Sequence, residues 1–178
     1  MPVADETVRI LFSKTGIGKV WDLPGEVKKD PKVKWLCADA RGAVEVRLEK
    51  LTVRIDKKTG AVSFVSKKGD ILLSENPMET RFCSGNGSIW WEYFDWSKKE
   101  NLCARSDELS VWDDITNKAK YISHTELSKM PSVIMSSKGY QIIVPGSVKV
   151  LACDIPVYGP YLCFEETSCI DYIFRTVK

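Results

Sequence analysis

Residues 130–140, with the sequence MPSVIMSSKGY, carry the pattern that decides the fold. They read as an apolar strand entered through Pro131, then a polar turn that ends at Gly139, and then a second strand, 140–144. Proline suits the first residue of a strand because the ladder does not need its missing N–H, and glycine adopts the backbone conformations of tight turns. The segment therefore predicts a β-hairpin.

Alternation of apolar and polar residues predicts further strands on the N-terminal side of this hairpin. In residues 44–48 apolar residues alternate with charged ones, and residues 51–55 continue the alternation on the opposite parity. A one-residue slip would turn the apolar side outward, so we expect a bulge or bend at Glu49–Lys50. Glycine-containing turns at 56–60 and 67–70 then join three strands into a meander.

The rest of the chain is also rich in strand signals. Runs 7–12 and 34–38 favour strands, and Pro145 and Gly146 suit a type II turn that joins 141–144 to 148–151. Only residues 123–130 could hold a turn or two of helix. Strands at this density without crossover helices predict an all-β fold, a large antiparallel β-sandwich with very little helix. A length of 178 residues suits a single domain, 1–178.

Composition and charge exclude several classes of function. The net charge of +2 gives no pull toward nucleic acid, and no apolar run approaches the roughly 20 residues that span a bilayer. Residues 1–6 lack the apolar core of a signal peptide. The six cysteines form no C-x-x-C pair, so we expect reduced thiols and a cytoplasmic protein, with Cys37, Cys153 and Cys163 as small buried hydrophobes.

No residue qualifies as catalytic or as a metal ligand. His124 is the single histidine and has no cysteine at ligand spacing, so we expect neither a metal site nor a cofactor. The acid pairs 113–114 and 165–166 are neighbours in sequence, and neighbours on a strand point to opposite faces. Hydrolysis by a pair of carboxyl groups instead needs two that face each other about 5 Å apart. The segment 16–19 (GIGK) lacks the remaining residues of a phosphate loop.

The aromatic belt at 89–96 (IWWEYFDW) has two readings. Trp91 and Tyr93 would share one face of a strand, and Trp90, Phe94 and Trp96 the other. Aromatic residues of this size usually fill the core of a sandwich, and we favour that reading. The alternative is a platform on which Trp90, Trp91 and Trp96 stack against sugar rings.

Several segments, taken in order, resemble the N-terminal β-sandwich of glycoside hydrolase family 31, the α-glucosidase and α-xylosidase family. They are the hairpin at 130–140, the meander segments LTVRIDKKTG (51–60) and KGDILLSE (68–75), and the strand IDYIFR (170–175). The resemblance covers roughly residues 45–175, so residues 1–40 are assigned to the domain on less evidence. The chain departs from the family at 101–108, where NLCARSDE replaces a Tyr-Gly-Leu-Gly-Glu segment, and at Gln141, which replaces a glycine.

The resemblance implies a galactose-mutarotase-like sandwich that packs against a catalytic (β/α)₈ barrel. In the family the catalytic aspartates lie on that barrel, and the sandwich lends a loop to the rim of the substrate pocket. Carried onto this sequence, the loop is 105–114. Its candidate substrate-binding residues are Arg105, Asp107, Trp112 and Asp113.

The expected function is therefore that of a non-catalytic N-terminal domain of an α-glycosidase, present as a fragment or truncated gene product. Its partners would be the barrel and, through the parent enzyme, a carbohydrate, with no nucleic acid or membrane partner. A bare docking face would promote self-association. The alternative is a stand-alone carbohydrate-binding module that uses the belt Trp90–Trp96. A mutarotase-like epimerase would need acid–base catalysis by histidine or carboxylate groups on a free sugar, and the lone His124 disfavours it.

Overall fold

In a computed structural model, the described residues are 1–14, 16, 22–105, 111–123, 131–145 and 148–177, and all their regular structure is β. The strands are β1 (Pro2–Ala4), β2 (Thr7–Phe12), β3 (Leu36–Ala40), β4 (Ala43–Arg47), β5 (Leu51–Asp56), β6 (Val62–Ser66), β7 (Ile71–Ser74), β8 (Arg81–Cys83), β9 (Ile89–Tyr93), β10 (Leu102–Arg105), β11 (Trp112–Asp114), β12 (Ala119–Ser123), β13 (Ser132–Ser136), β14 (Tyr140–Val144), β15 (Lys149–Cys153), β16 (Tyr161–Glu165) and β17 (Ile170–Thr176).

These strands form three antiparallel sheets. A seven-stranded sheet has the order β1-β2-β17-β14-β13-β10-β11, and two five-stranded sheets have the orders β12-β15-β16-β9-β8 and β3-β4-β5-β6-β7. The two five-stranded sheets meet at a bridge between Glu75 and Phe94. One buried cluster draws side chains from all three sheets, and the ring of Phe64 stacks on that of Phe174 with centroids 3.9 Å apart. The all-β sandwich predicted from the sequence is confirmed.

The predicted hairpin is also confirmed. β13 and β14 pair from Ser132–Val144 to Ser136–Tyr140, and the turn between them ends at Gly139 with a φ of 80°. That φ lies in the left-handed region, which glycine adopts without steric cost. A Cβ at this position would also lie 3.3 Å from the carbonyl oxygen of Val177. The glycine is thus required for both the turn and the close approach of the C-terminal segment.

Of the two alternatives expected at Glu49–Lys50, a bulge or a bend, the structure has the bend. β4 and β5 are partners in a hairpin, in which Val46 faces Val53 and the Leu48 N–H donates to the Leu51 carbonyl at 2.8 Å. Residues 49–50 are therefore the two loop residues of a tight turn. In such a hairpin, facing residues have opposite sequence parity, which is why the apolar pattern changes phase without leaving the core.

The prediction that strand 141–144 pairs with strand 148–151 is wrong. β14 lies near the middle of the seven-stranded sheet, whereas β15 pairs with β12 and β16 in another sheet. The connection between them therefore crosses from one layer to the other. The predicted turn residues Gly146 and Ser147 lie outside the described residues.

The seven-stranded sheet has one face on the main core cluster, and its other face is covered by an N-terminal segment. Val27, from the connection after β2, packs with Val3, Ile143 and Ile173 in a second, smaller cluster. The segment is held by the N–H of Asp30, which donates to the carbonyl of Val3 at 2.8 Å. Residues 1–40 thus supply strands β1 to β3 and a cover for one side of the sandwich.

The thiols and the hydropathy of the chain give two further findings. All six cysteines are unpaired, and Cys153 and Cys163 are buried as predicted. Cys37 lies exposed on the edge strand β3, so its predicted burial is wrong. In the part of the chain that the structure describes, no helix has the length and apolar character needed to cross a membrane.

Candidate functional site

The β10–β11 hairpin carries the substrate-facing residues predicted from the resemblance. Arg105 and Trp112 are cross-strand partners, and the guanidinium carbon lies 5.7 Å from the centroid of the indole ring. Arg105 Nη2 also donates to both carboxylate oxygens of Glu26, each at 3.1 Å. The Trp112 side chain is 41% exposed. Arg105 and Trp112 therefore form one cationic and aromatic surface on one side of the hairpin.

Asp113 does not join that surface. It pairs with Ala104, which is buried in the core, so its side chain points to the other face of the hairpin from Arg105 and Trp112. There it forms an ion pair with Lys120 of β12. The fourth predicted residue, Asp107, and the histidine His124 lie outside the described residues. The structure thus brings together two of the predicted residues and places a third on the opposite face.

The aromatic belt divides between the core and the surface by strand parity. Trp90 and Trp96 are 2% and 8% exposed and belong to the main core cluster, as the favoured reading predicts. Their rings are covered, so they offer no open platform for a sugar. Trp91 points to the outer face of its sheet. Of the three tryptophans suggested for stacking against a sugar, only Trp91 therefore remains a candidate.

Trp91 has aromatic neighbours on that outer face. Its ring centroid lies 5.3 Å from that of Phe82, and the rings of Tyr93 and Tyr161 are 5.5 Å apart on the same side of the sheet. Phe82 is 60% exposed. We call these four residues the outer aromatic strip. An aromatic surface of this kind can bind a sugar face or another apolar surface.

A buried charge network was missed from the sequence. Arg81 donates from Nη2 to Glu75 Oε2 at 2.5 Å and from Nε to Glu92 Oε2 at 3.0 Å. The Tyr172 hydroxyl donates to Glu75 Oε1 at 3.1 Å. Glu75 and Glu92 are 1% and 0% exposed. One arginine therefore faces two carboxyl groups inside the core.

The electrostatics of this network follow from burial. Burial, and then the neighbouring Glu75 carboxyl, raise the pKa of Glu92 well above its usual value, against the opposing effect of Arg81. Burial also raises the pKa of Tyr172. These are two close carboxyl groups, but both are enclosed by core side chains and cannot reach a glycosidic bond. The signal in the sequence was the parity of Glu92, which places it with the core-facing residues of the belt.

Another buried carboxylate, Glu100, anchors the hairpin that decides the fold. Its Oε1 accepts hydrogen bonds from Ser136 Oγ at 2.5 Å and from the hydroxyl of Tyr140. Lys138 Nζ lies 3.3 Å from Glu100 Oε2, which also accepts from the N–H of Ser97 at 3.2 Å. The polar residues of the SSKGY turn are thus arranged around one carboxylate that is 4% exposed.

Comparison with solved structures identifies proteins with this architecture. No protein-family model matches the chain, and a search of curated proteins finds no match. A family 31 α-xylosidase from a soil metagenome, solved with xylose, superposes with a TM-score of 0.76 at 14% identity. The alignment covers 99% of this chain and 29% of the xylosidase.

Two further family 31 enzymes give the same result. A dextranase from Flavobacterium johnsoniae, solved with isomaltotriose, has a TM-score of 0.75 at 15% identity over 97% of this chain and 23% of its own. An α-xylosidase from Xanthomonas citri has a TM-score of 0.67 at 17% identity over 84% of this chain and 17% of its own. The chain has the fold of one domain of family 31 glycoside hydrolases. It spans less than a third of each of these enzymes, and the resemblance read from its sequence is confirmed at the level of the fold.

Proposed function

We propose that the chain is the non-catalytic N-terminal sandwich of a family 31 α-glycosidase, an α-glucosidase or α-xylosidase. The supporting observation is that 97–99% of the chain superposes on 23–29% of the chains of such enzymes. Its role is to scaffold the (β/α)₈ barrel. The sequence resemblance assigns the catalytic residues to that barrel, and the facing carboxyls found in this chain, Glu75 and Glu92, are buried.

The β10–β11 hairpin is the part that we place at the mouth of the substrate pocket. Arg105 offers a guanidinium group that Glu26 holds in place. Trp112 offers an apolar ring beside it. Polar groups fixed next to an apolar wall are typical of sites that orient a small ligand. We also propose a cytoplasmic setting, which the six free thiols support.

Two measurements test this function. The isolated chain should not hydrolyse aryl α-glucosides or α-xylosides, and the genomic sequence downstream of Lys178 should encode a barrel in frame. Hydrolysis that disappears when one of this chain's own carboxylates is changed to the amide would refute the non-catalytic role. A barrel found downstream, together with an inactive isolated chain, would support it.

A second candidate is a stand-alone carbohydrate-binding module that uses the outer aromatic strip. The observation that favours it is the cluster of rings around Trp91 on an outer sheet face. Calorimetry with glucose, xylose, isomaltose and xyloglucan fragments tests it. Micromolar binding that is lost in Trp91→Ala and kept in Trp112→Ala would favour the module over the scaffold.

A further inference from the structure

A cavity of about 470 Å³ lies at one end of the sheet that contains β9, β15 and β16. That end is marked by one residue from each of four adjacent strands, each paired with the next across the sheet: Tyr93, Tyr161, Cys153 and Ala119. The connections 94–101, 115–118 and 154–160 all leave the sheet there. They enclose the space that we call the end cavity.

One wall of the end cavity is apolar. Trp96 and Phe94 stack with ring centroids 5.4 Å apart and an angle of 14° between planes, and both line the cavity. The two rings are buried behind Pro156 and Pro160, which form the accessible part of this wall. The wall is fixed because the N–H of Phe94 donates to the carbonyl of Pro160 at 2.9 Å. Such a surface suits the C–H face of a sugar ring.

The rest of the lining is polar and has free hydrogen-bonding capacity. The carboxylate of Asp95 accepts no hydrogen bond from the described residues. One oxygen of Asp154 accepts the N–H of Asn117 at 2.9 Å, which leaves the other open. Partial burial raises the pKa of both aspartates, although Asp95 is still exposed to solvent. The carboxylates of Asp95 and Asp154 therefore have unused capacity to accept hydrogen bonds from a ligand.

The ligand that fits this lining is uncharged. Lys98 lines the cavity and opposes the entry of a cation. The third acid of the lining, Glu100, is buried and already paired with Lys138. Ser97 adds a hydroxyl group and Asn117 an amide, so the cavity offers donors as well as acceptors. Mixed donors and acceptors beside an apolar wall match a polyhydroxyl compound.

We propose that the end cavity binds one neutral glycosyl unit, whose hydroxyls donate to Asp95 and Asp154 while a C–H face packs on Pro156 and Pro160. The choice of a sugar as the ligand rests on the proposed function. The cavity and its open acceptors are features of the structure and do not depend on that function.

This site is separate from the pocket-mouth residues. Arg105 and Trp112 lie at the loop end of the β10–β11 hairpin. The end cavity adjoins the other end, where the N–H of Ile115 donates to the carbonyl of Leu102 at 2.9 Å. A sugar in the end cavity would therefore leave the Arg105–Trp112 surface free.

The test is a ¹⁵N NMR titration of the chain with methyl α-glucoside, methyl α-xyloside and isomaltose. We expect saturable shifts for Ser97, Lys98, Asn117 and the indole N–H of Trp96, with dissociation constants in the millimolar range. Asp95→Asn and Asp154→Asn should each weaken binding at least tenfold. Asp39→Asn, which changes an exposed acid on β3, is the matched control and should bind like the unchanged chain. Well-dispersed spectra of each variant show that it is folded.

Four results would overturn the proposal. One is the absence of shifts with any of the sugars. Another is unchanged sugar affinity in both aspartate variants. The third is binding of ethanolamine in the cavity without binding of sugars, which would mean that Asp95 and Asp154 bind a cation and not a neutral ligand. Sugar shifts confined to Phe82 and Trp91 would likewise refute the end cavity and favour the outer aromatic strip. None of these results bears on barrel scaffolding, which the downstream sequence tests separately.

Discussion

Ser136 donates a hydrogen bond of 2.5 Å to Glu100, a residue 36 positions earlier in the chain. This contact ties the turn of the β13–β14 hairpin to the connection that follows β9. Tyr140 and Lys138 bind the same carboxylate, so three of the five residues of the SSKGY segment serve one acceptor. The segment that marks the hairpin in the sequence is therefore also a long-range anchor between elements of different sheets.

Glu100→Ala should lower the free energy of unfolding by about 2–4 kcal/mol, because buried hydroxyl donors and Lys138 lose their acceptor. Glu100→Gln should cost less, since its carbonyl oxygen still accepts from Ser136 or Tyr140. Urea unfolding followed by tryptophan fluorescence measures both effects. The control is Glu79→Ala, an exposed glutamate, which should change stability by less than about 0.5 kcal/mol. Equal stability of Glu100→Ala and the unchanged chain would contradict the anchoring role.

Arg81→Met should destabilise the fold by about 3–5 kcal/mol, because it leaves the buried Glu75 carboxylate without its cation. Arg47→Met is the matched control. Arg47 also pairs with a glutamate, Glu45, but its side chain is 54% exposed, and pairs of this kind contribute about 0–1 kcal/mol. Chemical denaturation of both variants gives the comparison. Similar losses in the two variants would mean that the Arg81 network contributes no more than a surface ion pair.

Glu92→Gln should alter the pH dependence of stability. The pKa of Glu92 is raised in the folded state, so unfolding releases its proton at any pH between the unfolded value, near 4.5, and the higher folded value. Stability from this group is therefore lost as the pH rises through that window, by up to about 1.4 kcal/mol per pH unit. The amide has no proton to release and can still accept from Arg81. Relative to the unchanged chain, the variant should gain stability as the pH rises above about 4.5 and through that window. A constant difference across that range would show that Glu92 is ionised in the folded protein.

Thiol labelling should distinguish the cysteines by position. Cys37 is exposed and should react first in the native protein. Burial raises the pKa of the Cys163 thiol to about 12, so very little thiolate is present at neutral pH, and this residue should react only after unfolding. Mass spectrometry after brief treatment with iodoacetamide, with and without urea, measures the order. Cys37→Ser should remove the fast phase and leave the slow one. Fast native labelling of Cys163 would show that the sheet around it opens readily.

The sequence was sufficient for features that depend on local alternation, and insufficient for those that depend on long-range pairing. The hairpin at 130–140 and the core-facing side of the belt followed from parity and turn residues. The same parity rule could not distinguish a bulge from a two-residue hairpin at Glu49–Lys50, because both change the phase of the pattern. Only the pairing of Val46 with Val53 decides between them.

For the candidate site, too, the sequence was sufficient for local features and insufficient for features that depend on long-range pairing. The segment 105–114 was located by resemblance, but not as a hairpin in which Asp113 faces away from Arg105 and Trp112. The buried acid Glu92 was visible from its parity, whereas its partner Arg81 lies on a neighbouring strand that the pattern did not predict. The end cavity could not be foreseen at all, since it is formed by three connections that come together only in the folded chain.

Self-association should depend on the outer aromatic strip. Phe82 is 60% exposed beside Trp91, and an exposed aromatic cluster on a sheet face favours contact between copies when no partner covers it. Analytical ultracentrifugation over a range of concentrations should show reversible association of the isolated chain, and Phe82→Ser should shift it toward monomer. Met78→Ser is the control, because Met78 is 89% exposed but makes no ring contact with the strip. If the Met78 variant loses association and the Phe82 variant keeps it, the contact lies on the β7–β8 connection and not on the sheet face.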